Sequence, residues 1–293
     1  MVSFIVPFAA NDGNLTYWSN TDTENIISNT IDCIKNINKT FSIDKEIILV
    51  DNTHNFPDIE IPNLKIVKGW QGLDYNNLIE QKTFEKYKIN IFNNQTVWAS
   101  MAFNIGIEHA NGDYIILQHN DIVYHTDILS KLIELLEERY EYISVDSKKI
   151  TLSAYVSQKL VFDELLEEVE FAVDNGGYIR TTKVGLADAY FFLAKREFFN
   201  DYSVDWLYGD TNHGATIKCL TENKKFLHIG PFYDNPNFST AGEDRTYIYR
   251  GSKFLTHLKG GFSEGKMSHK VNPIDRSAEV NYNSYIEMLK ENS

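Results

Sequence analysis

Short apolar runs separated by stretches of helical spacing set the pattern of the first half of this chain. Val2 to Val6, Glu46 to Val50 and Tyr114 to Leu117 each read as a buried strand of four or five residues. Leu64 to Val67 and Ile89 to Phe92 read as two further short strands. Between the first two runs, Ile26, Ile27, Thr30, Ile31, Ile34 and Ile37 recur at the spacing of an amphipathic helix. Trp98 to His109 reads as a second helix. A third carries Ile128, Leu129, Leu132, Ile133, Leu135 and Leu136, with Thr126 as its expected cap. Strands that alternate with helices in this way give a doubly wound, mostly parallel α/β sheet with helices on its faces. The regular part extends to about Tyr140.

The second half is less regular. Ala187 to Ala194 reads as a strand, Thr211 to Leu220 as a helix and Lys225 to Ile229 as a strand. Thr246 to Leu258 reads as an interrupted helix, and Tyr282 to Lys290 as a terminal helix. No internal repeat or low-complexity linker divides the 293 residues.

The segment that points to chemistry runs from Ala110 to Val123. Asn111-Gly112 is a turn signal, the Tyr114 strand follows, and His119-Asn120-Asp121 stands where the apolar run stops. Open α/β sheets bind ligands outside the carboxyl ends of their strands. A carboxylate and an imidazole there suit Mg²⁺ or Mn²⁺ holding a diphosphate. The alternative is a polar strand-to-loop transition with a solvated Asp.

Charge and cysteine usage narrow the partners. A formal net charge of −13 argues against a nucleic-acid backbone and against adsorption to anionic lipid. No run reaches the 18 apolar residues of a transmembrane helix, and the opening Met1-Val2-Ser3-Phe4 lacks the basic start of a signal peptide. Two cysteines, Cys33 and Cys219, both fall in predicted helices, which fits a reducing cytoplasm.

Four segments in order resemble the family 2 glycosyltransferases, whose fold is GT-A. Val2-Ser3-Phe4-Ile5-Val6-Pro7-Phe8 is similar to that family's first strand. Glu46-Ile-Ile-Leu-Val-Asp51-Asn52-Thr53 is similar to its second. Ala99-Ser-Met-Ala-Phe-Asn104-Ile-Gly106 resembles its Asn-x-Gly helix, and Ala110 to Leu117 leads into its metal motif. The resemblance covers roughly residues 1–140, and 185–230 more loosely. It implies one GT-A domain over 1–230, with a nucleotide-sugar half about 1–125 and an acceptor half about 126–230. Residues 231–293 are expected to pack on the same domain as an extension. The chain departs from the family at His119, where the family usually has the first Asp of Asp-x-Asp. A neutral imidazole can ligate Mn²⁺ or can hydrogen-bond a ribose or phosphate instead.

The resemblance also implies roles. Pro7, Phe8, Ala9, Asp12, Asp51, Asn52, Asn104, His119 and Asn120 are expected to face the nucleotide sugar. Asp121, His119 and His257 are expected to hold Mn²⁺ or Mg²⁺. Asp210, with Asp205 second, is expected to deprotonate the acceptor hydroxyl, because inverting transfer needs a carboxylate within hydrogen-bond reach of it. Each has a plainer alternative: Asp51 and Asp12 as turn residues, Asp210 as a helix cap, and Trp206 and Tyr208 as core rather than acceptor platforms. Of the other histidines, His213 and His269 are also available, and His228 is expected to be a satisfied core residue.

The function implied is transfer of a sugar, UDP-linked by default, to a glycan or lipid-linked acceptor in cytoplasmic polysaccharide biosynthesis. The alternative is a nucleotide-sugar or glycan binding module with a degenerate metal motif. A sugar nucleotidyltransferase would need a basic, Gly-rich loop after the first strand. Pro7-Phe8-Ala9-Ala10-Asn11-Asp12 has no Lys or Arg.

Overall fold

A computed structural model of the chain describes residues 1–8, 23–69, 97–146, 172–174, 177–179, 187–204, 213–222, 224–229, 231–232, 245–249 and 252–258. The first half alternates as expected: β1 (Val2–Phe8), α1 (Thr23–Thr40), β2 (Lys45–Asp51), β3 (Leu64–Lys68), α2 (Val97–His109), β4 (Tyr114–Leu117), β5 (Ile122–Tyr124) and α3 (Leu129–Glu138). Then follow β6 (Tyr142–Asp146), β7 (Ala172–Asp174), β8 (Gly177–Ile179), β9 (Ala187–Lys195) and a 3₁₀ turn (Arg196–Asn200). The described part closes with α4 (His213–Thr221), β10 (Phe226–Ile229), β11 (Pro231–Phe232), β12 (Arg245–Tyr249) and β13 (Ser252–His257).

Nine strands form the main sheet in the order β3-β2-β1-β4-β9-β6-β10-β8-β7. β1 pairs in parallel with β2 and β4, β2 with β3, and β6 with β10. β9 runs against both of its neighbours, β4 and β6. The sheet is mixed α/β and mostly parallel in strand direction.

Side chains of β1 alternate between two buried faces of the sheet. Phe4, Val6 and Phe8 of β1 join α1 and α3 on one face through Ile34, Ile37, Leu129 and Leu132, while Ile5 points to the other. There it meets Ala102 and Phe103 of α2, with Ala215 and Cys219 of α4 packed on the same side. Gly106 lets α2 come this close: a Cβ at that position would lie 2.2 Å from Ile5 Cγ2.

A second sheet, β11-β12-β13-β5, overturns the expectation of a helix over Thr246 to Leu258. Arg245–Tyr249 and Ser252–His257 are antiparallel strands, and β13 pairs with β5. Tyr247 and Tyr249 are both buried, the period of two that a strand buries and a helix does not. Aromatic contacts seat this sheet on the main one. Phe254 of β13 meets Phe191 of β9 with ring centroids 4.9 Å apart, and Tyr124 of β5 meets Phe191 at 6.3 Å and Phe4 of β1 at 6.4 Å.

Thr126 does not cap α3. Its hydroxyl donates to the Lys253 carbonyl across the β5–β13 pair at 2.8 Å, and Asp127 Oδ1 instead accepts from Leu129 N at 3.3 Å. The expected strand over Ile89–Phe92 and the helix over Tyr282–Lys290 lie outside the described residues, as do Trp206, Tyr208 and His269.

Candidate active site at the carboxyl edge of the sheet

β4 ends at Leu117, and the next four residues turn into β5. That turn is held from beneath by polar side chains of α1. Gln118 Nε2 lies 3.2 Å from Cys33 Sγ and 3.2 Å from the His119 carbonyl, and Tyr124 Oη donates to Gln118 Oε1 at 2.7 Å. Burial pushes the Cys33 thiol up to about 12, so it stays neutral. Asn120 Nδ2 donates to Thr30 Oγ1 at 2.7 Å, and Thr30 in turn donates to the Ile26 carbonyl at 2.7 Å. Because Thr30 has given away its proton, the Asn120 amide must face it with nitrogen. Asn120 Oδ1 is then left buried without a hydrogen-bond partner among the described residues.

Above this base, His119, Asp121 and His257 converge, each offering a ligand atom within 4.8 Å of the others. β13 supplies His257 through its pairing with β5, where His257 stands opposite Ile122 and Leu258 N donates to the Asp121 carbonyl at 3.0 Å. His257 Nε2 lies 3.2 Å from Asp121 Oδ2. The second carboxylate oxygen, Oδ1, is buried and has no hydrogen-bond partner among the described residues. Burial works to raise the Asp121 pKa. The charge and hydrogen bond of His257, then the charge of His119, outweigh burial and hold the carboxyl below its ordinary range. An ionised, nearly enclosed carboxylate with one idle oxygen beside two imidazoles is a donor set that fits a divalent cation. Among the described residues it is the only such group.

The other expected site residues fall in three classes. Asp51 sits at the same edge, at the end of β2, but its carboxylate is engaged by its own loop. Oδ1 accepts from Thr53 N at 3.0 Å, Thr53 Oγ1 at 3.1 Å and His54 N at 2.9 Å, and Oδ2 accepts from Phe56 N at 2.8 Å. Asn52 beside it is fully buried, and a Cβ on Gly69 would lie 2.1 Å from its Oδ1. Pro7 and Phe8 are the buried end of β1, and Phe8 packs edge-on to Phe56 at 4.7 Å.

Asn104 faces the carboxyl half of the chain. Its Nδ2 donates to the Val204 carbonyl and its Oδ1 accepts from Val204 N, both at 2.9 Å. It thereby fixes the segment that runs into Asp205. Ala9, Asp12, Asp205 and Asp210 lie outside the described residues. His228 is a core residue as expected, 1% exposed and 2.9 Å from Tyr142 Oη, which also lies 2.8 Å from Thr216 Oγ1.

Tyr190 was not among the expected site residues. It lies in the run Ala187 to Ala194, which reads as core. In the β4–β9 register Leu117 pairs with Phe192, and Tyr190 lies two residues further along β9, where its ring reaches His119. Its ring stacks on His257 at 3.9 Å and meets His119 edge-on at 4.7 Å. The only signal for it is the direction of β9, which one sequence does not carry.

Residues 75–202 match the family described as Glycosyl transferase family 2. The match includes Asn104 and the His119-Asn120-Asp121 turn, and it stops short of Asp205, Asp210 and His257. No curated protein matches the chain. Among solved structures, the mannosyltransferase PcManGT from Pyrobaculum calidifontis, in complex with GDP-Man and Mn²⁺, is 12% identical with a TM-score of 0.40. That alignment covers 78% of this chain and 56% of the other. The bifunctional IspDF from Campylobacter jejuni is 11% identical with a TM-score of 0.41, covering 78% and 49%. Glucosyl-3-phosphoglycerate synthase from Mycobacterium tuberculosis, in complex with phosphoglyceric acid, is 10% identical with a TM-score of 0.45, covering 98% and 80%. The chain therefore spans about half the length of the first two of these proteins. No helix among the described residues is long and apolar enough to cross a membrane. Over residues 75–202, which carry the turn at the end of β4, the chain is similar to the family 2 glycosyltransferases, within a mixed α/β sheet whose strands run mostly parallel.

Proposed function

We propose that this protein transfers a sugar from a nucleotide-diphosphate donor, UDP-linked by default, to a hydroxyl of a glycan or lipid-linked acceptor, with inversion and metal assistance. The observation that carries the reading is the buried Asp121 carboxylate, with one idle oxygen, flanked by His119 and His257 at the carboxyl edge of the sheet. Those three side chains would hold Mn²⁺ or Mg²⁺, which supplies positive charge for the diphosphate leaving group. Asn120 Oδ1, buried without a partner, is an acceptor available to a sugar or ribose hydroxyl. Asp51 acts through the 51–56 loop that its carboxylate organises, rather than by leaving that loop for the nucleotide.

Asp210 takes the acceptor's proton, or Asp205 does, as the oxygen attacks the anomeric carbon and the diphosphate departs from the opposite face. Asn104 supports this step indirectly by pinning Val204 next to Asp205. The setting we infer is polysaccharide biosynthesis in a reducing compartment, in keeping with two buried free thiols, Cys33 and Cys219.

A second reading, a nucleotide-sugar binding module without transfer, is favoured by His119 standing where a carboxylate is usual. Titration of UDP with and without Mn²⁺, alongside donor turnover, separates the two: binding without turnover supports the module. For the transferase, Asp210→Asn lowers kcat about 10²–10⁴-fold while donor Kd and melting temperature stay near wild type. Normal kcat in Asp210→Asn with a large loss in Asp205→Asn moves the role to Asp205. Normal kcat in both removes the base from this loop.

A further inference from the structure

The two imidazoles of the cation site share one neighbour. Tyr190 lays its ring on His257, with centroids 3.9 Å apart and planes 19° from parallel, and presents an edge to His119 at 4.7 Å and 88°. The imidazoles themselves stand 5.8 Å apart at 74°. Tyr190 thus touches both rings, one by its face and one at a right angle, and it is itself half-buried on β9.

An imidazole binds a cation only along the in-plane lone pair of one nitrogen. Rotation about its Cβ–Cγ bond swings that lone pair away. Ligand histidines are therefore usually oriented by a further partner, most often a hydrogen bond to the other ring nitrogen, whose loss costs about 10–100-fold in metal affinity. Here β13 fixes the backbone of His257, whose Nε2 also meets Asp121 Oδ2 at 3.2 Å, and the turn after β4 carries His119. A flat ring packed against the face of His257 and the edge of His119 restricts both.

Resting on the cation-site reading above, we propose that Tyr190 is the positioning residue of this centre, setting the planes of His119 and His257 before the cation arrives. The contact is made by the ring rather than by the hydroxyl. Phe is therefore an adequate replacement, and a flexible or branched aliphatic side chain is not.

The test uses Mn²⁺ affinity by calorimetry and the visible absorption of bound Co²⁺, which reports ligand geometry. Both are measured on wild type, Asp121→Ala, Tyr190→Phe, Tyr190→Leu and Tyr190→Met, with thermal melts as a check on folding. We expect Tyr190→Leu and Tyr190→Met to weaken Mn²⁺ by about tenfold or more and to alter the Co²⁺ spectrum. Tyr190→Phe is expected to match wild type in both. Two non-aromatic variants are used so that a folding defect in one does not decide the result. Wild-type affinity and spectrum in Tyr190→Leu or Tyr190→Met would overturn the proposal while leaving the cation site standing. Weak binding in Tyr190→Phe equal to that in Tyr190→Leu would overturn the ring as the cause. If wild type binds Mn²⁺ no better than Asp121→Ala, the cation-site reading fails, and this proposal with it.

Discussion

The two ends of the main sheet treat their polar groups in opposite ways. At the amino end Glu46 accepts from Ser3 Oγ at 2.6 Å and from both the backbone and the side chain of Asn111, and Ser3 Oγ in turn accepts from Gly112 N at 2.8 Å. Arg196 closes the same end by donating to the carbonyls of Gly112 and Ala110. The residual cost of burying Glu46 is outweighed by the hydrogen bonds of Ser3, Asn111 and Gly112, which hold its carboxyl below the ordinary range. At the carboxyl end, Asn120 Oδ1 and Asp121 Oδ1 are buried with no partner among the described residues. An unsatisfied buried acceptor costs about 1–3 kcal/mol. A sheet that completes its hydrogen bonds at one end and leaves two acceptors idle at the other spends stability at the end where we propose that ligand binds.

Three substitutions sharpen or break that contrast, taken from the largest effect down. Asp121→Ala removes the idle oxygen. It is expected to weaken Mn²⁺ binding by about 100-fold or more, with the melting temperature little changed, since loss of the unsatisfied Oδ1 offsets loss of the His257 contact. Calorimetric titration and a thermal melt on one preparation decide this. A variant that melts well below wild type would place Asp121 with the structural end of the sheet.

Gly112→Ala acts at the opposite end. Its Cβ would lie 2.7 Å from the Ser3 backbone nitrogen and 2.9 Å from the Met1 carbonyl, neither of which can rotate away. A stability loss of about 1–3 kcal/mol is expected from such overpacking, with cation affinity unchanged in the folded fraction. Chemical denaturation measures it, and a change in Mn²⁺ affinity would show that the two ends are coupled.

His119→Asp exchanges a borderline nitrogen donor for a hard oxygen. Relative affinity for Mg²⁺ over Mn²⁺ is expected to rise by about tenfold, because Mg²⁺ prefers oxygen ligands. Competition titration reads the ratio. No change in the ratio and no change in donor KM would put His119 outside the site.

Much of the first half was legible because its runs obey simple periods. The β4 strand and its polar end are readable from Tyr114 to Asp121 alone. Gly106 and Asn104 stand out in a helix because each is a poor helix residue without a reason, and the structure gives both a reason. Asn104 nevertheless shows the limit of such reading: its partner is Val204, on a segment whose placement no local pattern announces.

The second half resisted for related causes. Arg245 to Tyr249 carries alternating buried tyrosines, but the bulge between Tyr247 and Ile248 breaks the pairing register with β13. Phe254, Leu255 and Thr256 are then buried in succession, which blurs the period of two. Residue type and the resemblance single out His257, while the sequence of the hairpin that delivers it reads as a helix. Tyr190 was hidden in an apolar run because its importance lies in what stands across the sheet from it.

The Asn104–Val204 pairing also bears on the order in which the chain assembles. It joins residues 100 apart in sequence by two hydrogen bonds, each worth only about 1 kcal/mol net. Closing so long a stretch of chain costs more entropy than those bonds return unless other contacts have already drawn the ends together. Pairing of β9 with β4 and β6 does that, since it brings the chain to Lys195, nine residues before Val204. Asn104 is therefore suited to registering the carboxyl segment against α2 rather than to driving collapse.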